Sequence, residues 1–236
     1  MTSPPPLPPD GGDAPPTGTP WERREQIGFF PALVETTQQV LMEPERFFRE
    51  MPVTGGITSP LFYGVAIGYV GLIAWTLYRL AFHMTMGGLG TFGAFAHRSG
   101  PLERLAPFMM GGVSVVANVI LGPLFLAVGL FIGAGIIHLM LLILGGAQRD
   151  FEATFRAVGY AHAASILQVI PLCGGLIGVI YGLVLMIIGI SHAQGISKGK
   201  AAAAVLIPLV VLCCCCAAGI GLALGGLAGA IHQLQR

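Results

Sequence analysis

From Ser59 onward the chain reads as long apolar runs, broken by short clusters of glycine, proline and a few charged residues. No Asp, Glu, Lys or Arg occurs between Arg104 and Arg149, between Arg156 and Lys198, or between Lys200 and Arg236. Such runs exceed the roughly 18 apolar residues that mark a spanning helix, so the solvent they imply is lipid. The pattern predicts an all-α fold, a polytopic transmembrane helical bundle. A first span is expected at about 59–82, with Trp75 and Tyr78 near one end and Arg79 placed to snorkel. Residues 83–104, with His83, Gly87, Gly88, His97 and Arg98, read as a loop. Later spans are expected at 153–171, 176–192 and 201–225, the first two joined by a tight turn at Leu172, Cys173, Gly174 and Gly175.

Residues 105–146 are too long for one crossing. As a single helix they would run about 63 Å, roughly twice the hydrocarbon thickness. Either Gly122-Pro123 turns a hairpin, or 123–146 spans while 105–122 is interfacial, re-entrant or a helix extension. Loop charge arbitrates between these. Five spans with the N-terminus inside place Arg23, Arg24, Arg46, Arg49, Arg149, Arg156, Lys198 and Lys200 on the cytoplasmic side. Arg79, Arg98, Arg104 and Arg236 fall on the other side. Six spans with the N-terminus inside reverse the bias, against the positive-inside rule. About five spans are therefore expected, with six as the alternative.

Before Ser59 the character changes. Residues 1–20 carry eight of the seventeen prolines with Asp10 and Asp13 and no apolar signal core, which predicts a disordered Pro/Gly-rich tail. Residues 21–58 are expected to be an amphipathic cytoplasmic or interfacial segment: Trp21, Arg23, Arg24, Phe29, Phe30, Phe47, Phe48 and Arg49 mix aromatic and basic groups. It would lie in the headgroup layer or pack on the bundle. Residues 59–230 are the transmembrane domain.

Glycine is abundant, 35 residues in 236, and in a membrane it lets helix backbones approach closely. Pairs and triplets four apart share a helix face, which marks Gly64 and Gly68, Gly129 and Gly133, and Gly174, Gly178 and Gly182 as packing stripes. Gly221 and Gly225, between Ala217 and Gly229, form another. Each stripe serves internal packing or a homo-oligomer seam.

Reactive chemistry is scarce. The Gly195–Lys200 segment lacks the spacing of a phosphate loop, since Gln194 stands where its first glycine belongs and Ala201 where Ser or Thr belongs; Lys198 and Lys200 are expected to meet lipid phosphates. The six histidines make no i, i+4 ligand pair, so no metal site, cofactor site or catalytic site is assigned. Asn118, His138, His162 and Gln168 are the candidate polar residues within the membrane, His138 expected deep in its span with Asn118, Gln168 or Ser165 as a partner. His162 and Ser165 lack the third group a serine hydrolase needs. Cys213 to Cys216 read as lipid-facing packing. A net charge of +1 gives no case for nucleic acid as a partner.

Gly145-Gly146, Phe151, Thr154, Phe155, Arg156 and Tyr160, followed by Pro171, Gly174-Gly175, Gly182-Leu183, Gly189, Gly195-Ile196-Ser197 and Lys200-Ala201, carry a resemblance. With Pro44-Glu45-Arg46-Phe47-Phe48 ahead of the first span, the chain resembles the Yip (Ypt-interacting protein) family in its bacterial branch, over roughly 40–220. The resemblance implies five spans and a cytoplasmic N-terminus. Eukaryotic members bind small prenylated GTPases in vesicle trafficking; the acidic N-terminal motif of those relatives is missing here. The expected function is a non-enzymatic membrane-organising or trafficking-type adaptor of the bacterial inner membrane. It would contact the lipid bilayer and meet a cytoplasmic protein partner through residues 21–52. The alternative is a small-solute channel or transporter lined by the glycine stripes and by Asn118, His138, His162 and Gln168.

Overall fold

The computed structural model of the chain describes residues 18–94 and 101–234, with side chains over 18–82, 115–219 and 221. The tail up to Thr17, and His97 and Arg98, lie outside the described residues. Thr19 opens a 3-10 turn, Pro20–Arg23, through a capping box: its hydroxyl takes the Glu22 amide and the Glu22 carboxylate takes its amide. Short α1 (Arg24–Ile27) ends at Gly28, whose φ of 94° turns the chain into α2 (Phe29–Met42). Pro44 then starts α3 (Pro44–Glu50), at the first position, where a missing N–H costs nothing.

Three long helices and a shorter one follow: α4 (Thr58–Ala94), α5 (Pro101–Ile143), α7 (Gly174–Gln194) and α8 (Lys198–Leu234). Among the described residues these four are long and apolar enough to cross a membrane, over Thr58–Phe82, Val115–Ile143, Gly174–Gln194 and Lys198–Gly219. Their outer faces expose Leu77, Leu124, Phe125, Leu139, Ile180 and Val210, the surface that contacts lipid. The chain is an integral membrane protein. Between α5 and α7 lies the remaining pass, α6 (Phe151–Ala161) continued by a 3-10 segment, His162–Val169. Eleven α and eight 3-10 residues rise about 33 Å together, enough to traverse the hydrocarbon. Five passes result, the third of them broken.

That broken pass sits at the centre. Ala153 to Ala161 are all buried, enclosed by α4, α5 and α7. An irregular backbone survives at membrane depth only where protein surrounds it, and here glycines make the room. A Cβ on Gly64 would meet the Gly159 carbonyl oxygen at 3.1 Å, one on Gly71 the Ser165 carbonyl at 2.7 Å, and one on Gly178 the Ala164 carbonyl at 3.1 Å. From the last side α2 packs on the Pro20–Arg23 turn and touches the 3-10 segment, with Ala32, Thr36 and Val40 buried.

Helix ends differ from expectation in informative ways. The stretches 83–94 and 101–104, expected as loop, belong to α4 and α5, so Gly87-Gly88 does not stop the helix. Gly122-Pro123 does not turn a hairpin, so 105–122 is the helix extension. Pro123 cannot donate to the Val119 carbonyl, and the Tyr69 hydroxyl donates to it instead at 2.8 Å. At the turn before α7, the Cys173 amide reaches the Pro171 carbonyl at 2.8 Å across Leu172, whose φ is 68°.

Candidate functional site

The starts of α4, α6 and α8 and the ends of α5 and α7 gather at one end of the bundle, together with the N-terminal elements; this is the near end. The N-terminal elements are fastened there by hydrogen bonds from a largely aromatic core. The Trp21 indole donates to the Ser59 carbonyl at 2.8 Å, while its own amide donates to the Thr36 hydroxyl at 2.9 Å. Thr19 and Tyr160 hydroxyls pair at 3.0 Å and Thr37 and Tyr63 at 2.9 Å; farther down the bundle Tyr181 donates to the Leu41 carbonyl at 2.6 Å. Trp21, Tyr63, Tyr160 and Phe47 stack edge-on or tilted around them, with centroids 5.2–5.8 Å apart.

Arg156 lies beneath, with its side chain fully buried. Its Nε donates to the Pro52 carbonyl at 2.6 Å, one Nη to the Gly56 carbonyl at 2.9 Å, and the other to the Glu22 carboxylate. A buried guanidinium is tolerable only when its donors are met and its charge is paired. Glu152 completes the clasp by accepting the Gly56 amide at 2.6 Å. Arg156, counted from the sequence among the charges of the cytoplasmic side, is thus enclosed: the linker between α3 and α4 folds back over it and excludes water.

Further round the near end, Glu45 of α3 bonds His192 Nε2 at 2.7 Å and the Lys198 ammonium. The His192 hydrogen bond first, then that of Lys198, holds the Glu45 carboxyl below its ordinary 4.5. Lys198 thus meets a carboxylate, and Lys200 donates to the Gly145 carbonyl at 3.5 Å. Arg149 binds the Ala193 carbonyl at 2.8 Å, and its amide donates to the Gln194 side chain at 2.7 Å. Gln194 in turn donates to Thr154 at 2.9 Å, and Thr154 bonds His138 Nδ1 at 2.9 Å.

The four candidate polar residues do not converge. His138 stands five residues before the end of α5, so it joins the near-end network through Thr154 and not through Asn118, Gln168 or Ser165. His162 sits eight residues, about 12 Å, further along the central pass than Thr154, against Gly68. Gln168 lies deeper again, beside Gly71 and Gly178, and Asn118 is on the outer surface of α5. Ser165 donates to the His162 carbonyl at 2.7 Å, so its hydroxyl is not poised on the imidazole. Cys213 to Cys216 are exposed on α8, and among the described residues no three of His, Cys, Asp and Glu cluster as metal ligands.

The glycine stripes divide. Gly64, Gly68, Gly174, Gly178 and Gly182 all meet the central pass or its neighbours within 3.5 Å of a would-be Cβ. Gly129, Gly133 and Gly221 face open space within 4 Å, and the surroundings of Gly225 lie outside the described residues. Gly189 was marked only by the family resemblance; its missing Cβ admits the Phe48 ring, which would otherwise lie 2.9 Å away.

That last contact joins two parts of the chain, Pro44–Phe48 and the end of α7, that a family comparison also spans. A model of the Yip1 domain matches residues 39–220. This chain belongs to the Yip1 domain family. No curated protein and no solved structure matches it. Within the Yip1 domain, Glu45, Phe47 and Phe48 of α3 reach His192, Tyr160 and Gly189 respectively, so the α3 motif docks on the central and fourth passes. Glu22 precedes the matched region, so the carboxylate paired with Arg156 comes from ahead of the domain, while Pro52, Gly56 and Glu152 of the clasp lie within it. Sequence spacing gave no signal for that pair, since 134 positions separate its members.

Proposed function

We propose that this chain is a non-enzymatic membrane scaffold of the trafficking-adaptor or membrane-organising type, with its near end in the cytoplasm of a bacterial cell. One observation carries the reading: the N-terminal elements are fixed to the bundle by buried polar bonds while α3 turns a charged ridge outward. Glu43, Arg46, Arg49 and Glu50 are exposed on that ridge, with Arg46 bridging Glu43 and Glu50 at 3.1 Å each. Fixing costs ordering entropy once, in the fold, so a cytosolic protein meets a surface already formed. The basic residues at the near end, Arg149 and Lys200 among them, suit a cytoplasmic orientation by the positive-inside rule. The separation of His138, His162 and Gln168 speaks against the channel alternative, and the Ser165 bond to a carbonyl speaks against hydrolysis.

The test uses the full chain in lipid nanodiscs, incubated with cytosolic extract. Proteins retained by the wild type are expected to be lost from an Arg46→Glu, Arg49→Glu variant. Solute flux through proteoliposomes, abolished by His138→Ala, would instead establish the channel.

A further inference from the structure

The roll of α2 about its own axis is fixed by two neighbouring threonines. Thr36 reaches Trp21, which is tied to Ser59 at the start of α4; Thr37, about 100° further round, reaches Tyr63, four residues deeper along the same helix. The Thr36 side of α2 therefore faces the near-end surface and the Thr37 side faces the membrane interior. Beyond Thr37, on the inward edge, come Phe30, Leu41 and Val34; beyond Thr36, on the outward edge, come Gln39 and Glu35, which hydrogen-bond each other at 3.2 Å. Phe30 and Val34 are 74% and 63% exposed, more than most lipid-facing residues of the spans.

Depth bears on direction. Leu41 accepts a hydrogen bond from Tyr181, which stands thirteen residues, about 20 Å, from the near end of α7, so the end of α2 sits deeper than its start beside Trp21. On either side of Tyr181, Ile177 and Val184 are exposed to lipid, so the inward edge of α2 continues the bundle's apolar band.

We propose that α2 is a membrane-embedded helix that enters obliquely from the near end: Phe30 and Val34 face the acyl chains, and Glu35 and Gln39 lie on the edge turned toward the headgroup boundary. The occupant of this edge is lipid. The inference needs only the membrane architecture and stands independently of what the α3 ridge binds.

The experiment places a nitroxide at residue 30, 34, 35 or 39 of the full chain in pure-lipid nanodiscs, with the five native cysteines replaced by serine. Collision rates with oxygen and with a water-soluble nickel chelate are then compared. Phe30→Cys and Val34→Cys sites are expected to collide several-fold more with oxygen, and Glu35→Cys and Gln39→Cys sites with the chelate. Equal chelate access on both edges would overturn the proposal and leave the edge to a protein partner. Hydroxyl-radical footprinting of the unmodified chain gives a second reading that needs no substitution. Phe30 is expected to escape oxidation in nanodiscs, and its oxidation at the rate of a water-exposed phenylalanine would overturn the proposal equally.

Discussion

The buried guanidinium of Arg156 and the carboxylate of Glu22 form an ion pair between the central pass and the segment that precedes the first span. Its guanidinium is wholly buried and the Glu22 side chain is 18% exposed, so water screens the pair little. The remaining donors of Arg156 are taken by the Pro52 and Gly56 carbonyls. The pair therefore closes the junction between N-terminal segment and bundle.

Removing one member leaves the other buried and unpaired, which costs on the order of 3–5 kcal/mol. Glu22→Leu is expected to lower thermal stability of the detergent-solubilised chain by this order. The double variant Glu22→Leu, Arg156→Met removes both charges and is expected to recover most of the loss. A double variant as unstable as the single one would show that the charge is not what the junction needs.

The Tyr69 hydroxyl replaces the helix bond that Pro123 cannot make. Tyr69→Phe is expected to cost about 1 kcal/mol, the net worth of one hydrogen bond. In a Pro123→Ala background the Val119 carbonyl regains its own helical donor. There the same substitution is expected to be nearly silent, which a double-mutant cycle measures directly.

Glycines against the central pass and glycines facing outward make opposite predictions. Gly71→Ala puts a methyl 2.7 Å from a backbone oxygen that has no freedom to yield, and about 1–3 kcal/mol of destabilisation is expected. Gly129→Ala meets nothing within 4 Å and is expected to leave monomer stability unchanged. If Gly129 and Gly133 form a seam between copies, Gly129→Leu lowers the oligomer fraction seen by crosslinking in membranes while the monomer stays folded.

Glu45 introduces a pH dependence with a defined sign. Its carboxyl titrates below the ordinary 4.5 when folded, held there by His192 and then Lys198. A depressed carboxylate stabilises above its unfolded value, and that contribution is lost as pH falls through the lower, folded value. Docking of α3 on α7 is thus expected to be pH-independent on the carboxylate's account above about 5 and to loosen below 4.5. Hydrogen exchange of α3 across this range reads it, and Glu45→Gln is expected to remove the step.

The spans were legible because apolar run length is a direct image of bilayer thickness. Their ends were not, because Gly87-Gly88 and Gly122-Pro123 read as breaks from composition alone, whereas α4 continues through the first and α5 through the second, where Tyr69 supplies the missing donor. The break in the third pass was hidden for a similar reason. Gly64, Gly71 and Gly178 of other helices enclose it, and composition of 153–171 alone cannot report neighbours. His138 was misplaced in depth because its position depends on where α5 ends. The family motif residues were readable, yet their partners emerged only in three dimensions: Phe48 against Gly189 and Glu45 against His192.

Hydrogen–deuterium exchange over residues 19–51 of the full chain in nanodiscs tests most directly whether the N-terminal segment is a fixed part of the bundle. Amides of Phe29–Met42 are expected to exchange as slowly as those of α7, and to speed up many-fold in Glu22→Leu. Complete exchange within seconds in the unaltered chain would mean that the segment is a free arm, and the fixed surface proposed for partner binding would not exist.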